Sequence, residues 1–195
     1  MLHTIVFLPI TLFTDAALTV AQEIWGWLAD ARPDLEVRLM TEITEAWIDS
    51  VRRKRGLFSQ QYNRRNPLDQ STEFTPTDKP EMTKEFLLAA KAMQPHAIML
   101  AFISSRFQAF RYREASLVVA CQRMVSQSCM VAWSTHNLAR ELRLRLLAFG
   151  FCLLQGSRLE TAVEFVFRDR LYRSALSWFA FKARSVCFVN QRDCL

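Results

Sequence analysis

Glycine is scarce in this chain: Gly26, Gly56, Gly150 and Gly156 are the whole set, widely scattered among 195 residues. A loop that cradles phosphate needs glycines within a few positions of one another, so neither a P-loop nor a GxGxxG turn can be assembled. Histidine is scarcer still. His3, His96 and His136 share no metal-site spacing such as HExxH. His96 follows Pro95 in what reads as the first turn of a helix, and His136 sits in a turn, so structural or solvated roles are expected for both. The five cysteines, Cys121, Cys129, Cys152, Cys187 and Cys194, are odd in number, widely spaced and lack a CxxC. That argues against a disulfide framework or zinc cluster and points to a reducing compartment. Cys121, Cys129 and Cys152 fall in apolar stretches, where free thiols bury readily.

Long uncharged runs are missing as well. The stretch "LLAFGFCLL" ends after nine residues, well short of the ~18–20 needed to cross a bilayer, so no membrane span is expected. The opening "MLHTIVFLPITLF" has no Lys or Arg before its apolar segment, and it leads into a patterned helix at Thr14 and Asp15 rather than a cleavage site. Positive charge is thin in the first fifty residues, where Arg32 and Arg38 face eight carboxylates for a net −6; the remainder carries +12. The basic part can steer toward anionic lipid, nucleic acid or an acidic protein, or simply form solvated helix faces.

What is present favours helices. Hydrophobic residues make up 51% and charged residues 23% of the chain, with fifteen phenylalanines and five tryptophans, so bulky anchors between helices are expected. Thr14 or Asp15 can cap a first helix to about Ala29, with Ala17, Val20, Ile24, Trp25 and Leu28 as its apolar groups. Pro33 breaks it and opens a second, over 34–55. Here Val37, Met40, Trp47, Ile48 and Val51 share a face about 100° wide, Ile43 widens it, Glu36 falls beside it and Leu39 falls off it. Asp49 and Arg53 form an i,i+4 pair, and Gly56 is placed to take a left-handed C-cap.

Residues 60–80 read as a polar linker with three prolines. Further helical patterns cover 81–93, 96–112, 115–132, 137–155 and 158–180, the last opened by Ser157 and Glu160 at capping-box spacing. Starts at 115, 137 and 158 recur every ~22 residues, so a helix pair spans ~43, within the HEAT and armadillo range. The 158–180 helix is apolar nearly all round, including Phe167, Trp178 and Phe179, as befits a helix inside a stack. The expectation is an all-α, antiparallel helical array: an α-solenoid segment of about seven helices. Residues 1–59 form its first pair, 60–80 the linker, 81–181 further stacked helices and 182–195 an atypical tail.

No reaction centre emerges. "FRDR" at 167–170 has Ser174 rather than Asn five positions after Asp169, no histidine before Arg168 and no DFG beyond. The pair Glu42 and Glu45 shares a helix exterior, as solvated faces commonly do. The strongest anionic-contact candidate is Arg52, Arg53, Lys54 and Arg55, with Arg64, Arg65 and the interleaved Tyr62. It can follow a nucleic-acid backbone, or lie on acidic lipid with Leu57 and Phe58 inserting. It can equally be a favourable helix terminus, with those two side chains folding back to pack. Basic runs at helix ends are common, and nucleic acid is not the expected partner.

The ordered blocks "EIWGWLADARPDLEVRLMTEITEAWIDSVRRKRGLFS", "NPLD", "FISSRFQAFRYRE", "LRLRLLAFGFCLLQ" and "FRDRLYRSALSWFAF" resemble successive parts of the large type III alpha-class phosphatidylinositol 4-kinases, most closely a fungal member. They match the α-solenoid upstream of the kinase domain. The resemblance implies a parent enzyme, cytoplasmic and peripheral to the plasma membrane, that phosphorylates phosphatidylinositol at the 4-position. ATP and magnesium belong to a kinase domain with no matching positions here, so no catalytic residue, cofactor or metal ligand carries over. The implied partners are the remaining helical repeats, that kinase domain, and regulatory scaffold proteins or a second copy. Trp27, Trp47, Phe58, Phe107, Phe167, Trp178 and Phe179 are the expected packing anchors. The end, "KARSVCFVNQRDCL", departs from the family pattern, and the expectation is of a fragment or imperfect gene model. A free-standing basic helical adaptor is the alternative reading.

Overall fold

The computed structural model describes residues 1–62, 79–109 and 114–155. Among them are six α-helices and no strand: α1 (Leu2–Leu12), α2 (Asp15–Ala31), α3 (Pro33–Arg52), α4 (Lys79–Phe107), α5 (Ala115–Met130) and α6 (Asn137–Gln155). The helix expected at 158–180, the tail at 182–195 and most of the 60–80 linker lie outside the described residues.

Local chemistry sets most boundaries. The opening apolar segment is itself a helix, closed by Phe13 at φ 51, whose N–H donates to the Pro9 carbonyl. Thr14, extended at φ −110, then caps α2 by accepting from the Ala17 N–H at 3.3 Å. Pro33 occupies the first turn of α3, where its missing N–H has no intrahelical partner to lose.

Residues 1–59 hold three α-helices rather than the expected pair, and the boundary at Pro95 differs as well. The two helices expected on either side of Pro95 are one, with Pro95 inside it. An internal proline removes one hydrogen bond and costs about 3 kcal/mol. Burial of Met93, His96, Met99 and Leu100 on both sides of it offsets that cost. The merged helix is long and apolar enough, from Lys84 to Phe107, to cross a bilayer by length and composition, against the sequence expectation. It packs on α2, α3 and α6.

The helices form two layers. The odd ones stack as α1 on α3 and α3 on α5, and the even ones as α2 on α4 and α4 on α6. Across the layers α1 meets α2, α2 meets α3, α3 meets α4, and α5 meets α6. This arrangement is an antiparallel, solenoid-like array. Central position explains why α3 buries more than the single face its periodicity defines. Leu39, Ile43, Ala46, Trp47 and Ile48 are all sealed, and Glu36 is buried too. Leu39, which falls off the amphipathic face, is in the core because α3 has neighbours on several sides.

In α2 the buried set is Leu18, Ala21, Trp25 and Ala29, whereas Val20 and Ile24, expected inside, are exposed. The expectation for Trp27 is corrected in the same way: it is 73% exposed. Residues two apart on a helix point about 160° from each other, so Trp25 and Trp27 cannot both face one core.

Candidate functional site: the basic turn after α3

Arg52 to Arg55 form the tightest cluster of candidate residues, and the end of α3 places them. Lys54 takes the left-handed conformation at φ 51. The Arg55 N–H donates to the Ser50 carbonyl at 3.0 Å and the Lys54 N–H to the Val51 carbonyl at 3.1 Å, closing a Schellman motif. The helix therefore stops at Lys54 rather than at Gly56.

Gly56 serves a different purpose. Also at φ 51, it opens a 3-10 turn, Gly56–Phe58, that passes directly beneath α4. A Cβ there would lie 2.6 Å from His96 Nδ1 and 2.9 Å from the Ala92 carbonyl oxygen. Only glycine permits both the backbone conformation and the approach.

The four cations have different surroundings. The Arg55 guanidinium donates to the carbonyls of Ile10 and Thr11 at 2.8 and 2.9 Å, and it sits 5.9 Å from the Phe13 ring centroid. It closes the C-terminal end of α1, where unpaired carbonyls favour a cation. Arg53 pairs with Asp49 at 2.7 Å, the expected i,i+4 bridge. Arg52 and Lys54 are exposed. Arg64 and Arg65 lie outside the described residues, so the structure brings together four of the six candidate cations and commits two of those four to internal contacts.

Leu57 and Phe58 are fully buried, not presented for insertion into lipid. Phe58 packs edge-on against Trp47, His96 and Trp133, with centroids 6.3, 5.2 and 5.0 Å away. His96 lies at the centre of this cluster, 4.7 Å from Trp47 and 4.9 Å from Phe13. Its hydrogen bonds specify its state. The Leu57 N–H donates to Nδ1 at 3.4 Å, so the ring proton is on Nε2, which donates to Ser50 Oγ at 2.8 Å. Ser50 Oγ in turn donates to the Trp47 carbonyl at 2.6 Å. Burial pushes the His96 pKa down to about 3, so the imidazole stays neutral.

The polar wiring continues into α5. The Trp47 indole N–H donates to Ser128 Oγ at 2.8 Å, and the Trp133 indole N–H to the Ser128 carbonyl at 2.7 Å. Both large side chains therefore bury without orphaning a donor. Phe107 is also sealed and meets Phe149 edge-on at 5.4 Å. Phe167, Trp178 and Phe179 lie outside the described residues. Sequence reasoning gave His96 a first-turn position and no central role; nothing in a single Pro-His pair signals that its ring will bridge three segments.

The remaining chemistry is sparse. Burial raises the Cys121 thiol to about 12, which keeps it protonated and unreactive. Among the described residues no three His, Cys, Asp or Glu side chains are placed to hold a metal ion. A shallow groove between α4 and α6 is floored by small side chains such as Ala97, Ala101 and Ala148, with Arg145 at its rim. Arg145 is paired with Glu141 at 2.6 Å.

Comparison with known proteins matches the sequence to a family. Residues 1–192 match the family described as the PI4-kinase N-terminal region. Phosphatidylinositol 4-kinase STT4 of Saccharomyces cerevisiae is 27% identical over 187 residues, covering 92% of this chain and 10% of the yeast protein. Phosphatidylinositol 4-kinase alpha 1 of Arabidopsis thaliana is 28% identical over 192 residues, covering 92% of this chain and 9% of the plant protein. The chain thus spans about a tenth of the length of these relatives. No solved structure matches. With nearly every residue inside the matched region, the chain belongs to the PI4-kinase N-terminal region family.

Proposed function

We propose that this chain is a non-catalytic scaffold segment of a phosphatidylinositol 4-kinase, the enzyme that transfers phosphate from ATP to the 4-position of phosphatidylinositol. It is read as a HEAT/armadillo-like α-solenoid segment that supports dimerisation or the docking of regulatory proteins at the plasma membrane. The observation that carries this reading is the family match over residues 1–192, joined to a coverage of only about a tenth of each relative. The deployment of side chains supports it. His96, Trp47 and Phe58 are consumed in holding helices together, and Arg55 closes α1.

The test compares the full-length gene product with a version lacking residues 1–192. Phosphorylation of phosphatidylinositol vesicles with ATP and magnesium is measured alongside particle mass and co-purifying proteins. The expected result is that the chain alone gives no turnover, while the deletion changes mass or partner recovery. Turnover by the isolated chain, or a deletion that leaves assembly untouched, overturns the reading. A second role, a peripheral contact with anionic lipid, rests on the exposure of Arg52 and Lys54. It predicts that charge reversal at both positions weakens sedimentation with phosphatidylserine vesicles at low salt.

A further inference from the structure

The outer side of α2 carries a continuous apolar seam. Ala16, Val20, Ile24, Trp27 and Ala31 are all exposed, and their 4-4-3-4 spacing puts them within an arc of about 80° on the helix. Neighbouring α1 repeats the pattern with Leu8 and Leu12, each more than 60% exposed. Scattered apolar residues on a surface are ordinary, but a five-residue seam along one helix, with two exposed leucines on the helix packed beside it, is more than scatter.

Both seams point away from the helix that follows in the same layer. α2 meets α4 through Trp25 on Phe102, Gly26 beside Arg106, and the Asp30–Arg106 pair at 2.8 Å. The α2 seam is centred about 150° around the helix from that contact arc. α1 meets α3 on the side holding His3, which pairs with Glu42 at 3.0 Å. Leu8 and Leu12 lie about 140–180° around the helix from His3. One repeat further back along the array, a preceding helix pair would sit on these two seams as α1 and α2 sit on α3 and α4.

Charge selects among possible occupants. Residues 1–31 contain no lysine or arginine, and Glu23 borders the seam on an exposed position, while Asp30 on the same side is already held by Arg106. An anionic lipid surface is repelled by such an edge. A second copy docking through the same edge would set carboxylate against carboxylate across an isologous contact. We propose that the α1–α2 edge is a repeat-stacking surface, occupied by a further helical pair of the same polypeptide that brings a basic residue to Glu23. The proposal rests on reading the chain as a segment of a longer lipid kinase.

The experiment is hydroxyl-radical footprinting of two proteins, this 195-residue chain and the product of the complete native transcript. Trp27 oxidation is expected to fall about tenfold in the longer product, while Leu87 and Leu88, exposed on α4, react alike in both. Equal Trp27 labelling in a longer kinase overturns the stacking edge and leaves the scaffold reading standing. A transcript that encodes no more than this chain overturns both. A concentration-dependent dimer of the short chain that Trp27→Arg abolishes makes a second copy the occupant and overturns the proposal. Binding of the short chain to vesicles of equal parts phosphatidylcholine and phosphatidylserine, lost on Trp27→Glu, likewise overturns it in favour of lipid.

Discussion

Trp47 and Trp27 lie on adjacent helices of one acidic N-terminal segment, yet one is fully sealed and the other 73% exposed. Around Trp47 every polar group has a partner: its indole reaches Ser128, its carbonyl accepts from Ser50, and Ser50 receives the His96 ring proton. Around Trp27 there is an apolar seam bordered by Glu23. The difference teaches that aromatic residues serve two purposes in an array. Some close the interior between helices, and others lie on its surface. Hydrophobicity does not distinguish them; the helices packed against each one do.

The contrast breaks most sharply by truncation. Trp47→Ala is expected to destabilise the chain by about 3–5 kcal/mol, from the cavity and the lost indole donor, read as a fall in the urea midpoint. Gly56→Ala comes next, at about 2–4 kcal/mol, because the new methyl group meets His96 and the Ala92 carbonyl in a backbone conformation that disfavours it.

Acid probes the same node without a mutation. His96 has its pKa lowered to about 3 from 6.5, so between those values the unfolded chain binds a proton that the folded chain refuses. This contribution to stability is intact above the unfolded pKa and is lost as pH falls toward 3. About 2 kcal/mol should disappear between pH 7.5 and pH 5, and His96→Gln should remove that part of the slope in urea titrations across pH.

Lys54→Gly sharpens the comparison from the other side. It relieves the left-handed strain in the Schellman turn and is expected to add about 1 kcal/mol, seen as a higher urea midpoint. Trp27→Ala in the isolated chain should shift stability by less than about 0.5 kcal/mol by the same measurement. A large loss there would mean that the α2 seam is already part of this chain's own core.

The all-helical class, the capping of α2 at Thr14, Pro33 at the start of α3 and the Asp49–Arg53 bridge were legible in sequence, because each depends on residues within a turn of one another. Continuity of α4 through Pro95 was not. A proline penalty is local, whereas the burial that outweighs it comes from α2, α3 and α6. For the candidate site, the basic turn was visible as four adjacent residues, but the commitment of Arg55 to α1 depends on contacts 44 and 45 positions away. The centrality of His96 was hidden for the same reason: its partners Ser50 and Leu57 lie 46 and 39 residues back along the chain.

By itself, the amino-acid sequence determined that this protein is helical, where most of its helices start and stop, and that no phosphate-binding glycine loop is present. These follow from periodicity, caps and composition, which act over a few residues. Only the tertiary structure decided which faces are inside. It buried Leu39 because α3 is surrounded, sealed Phe58 under α4, and turned Trp27 outward because Trp25 had taken the single direction α2 offers to the core. Burial depends on which helices become neighbours, and that choice is made by the whole array.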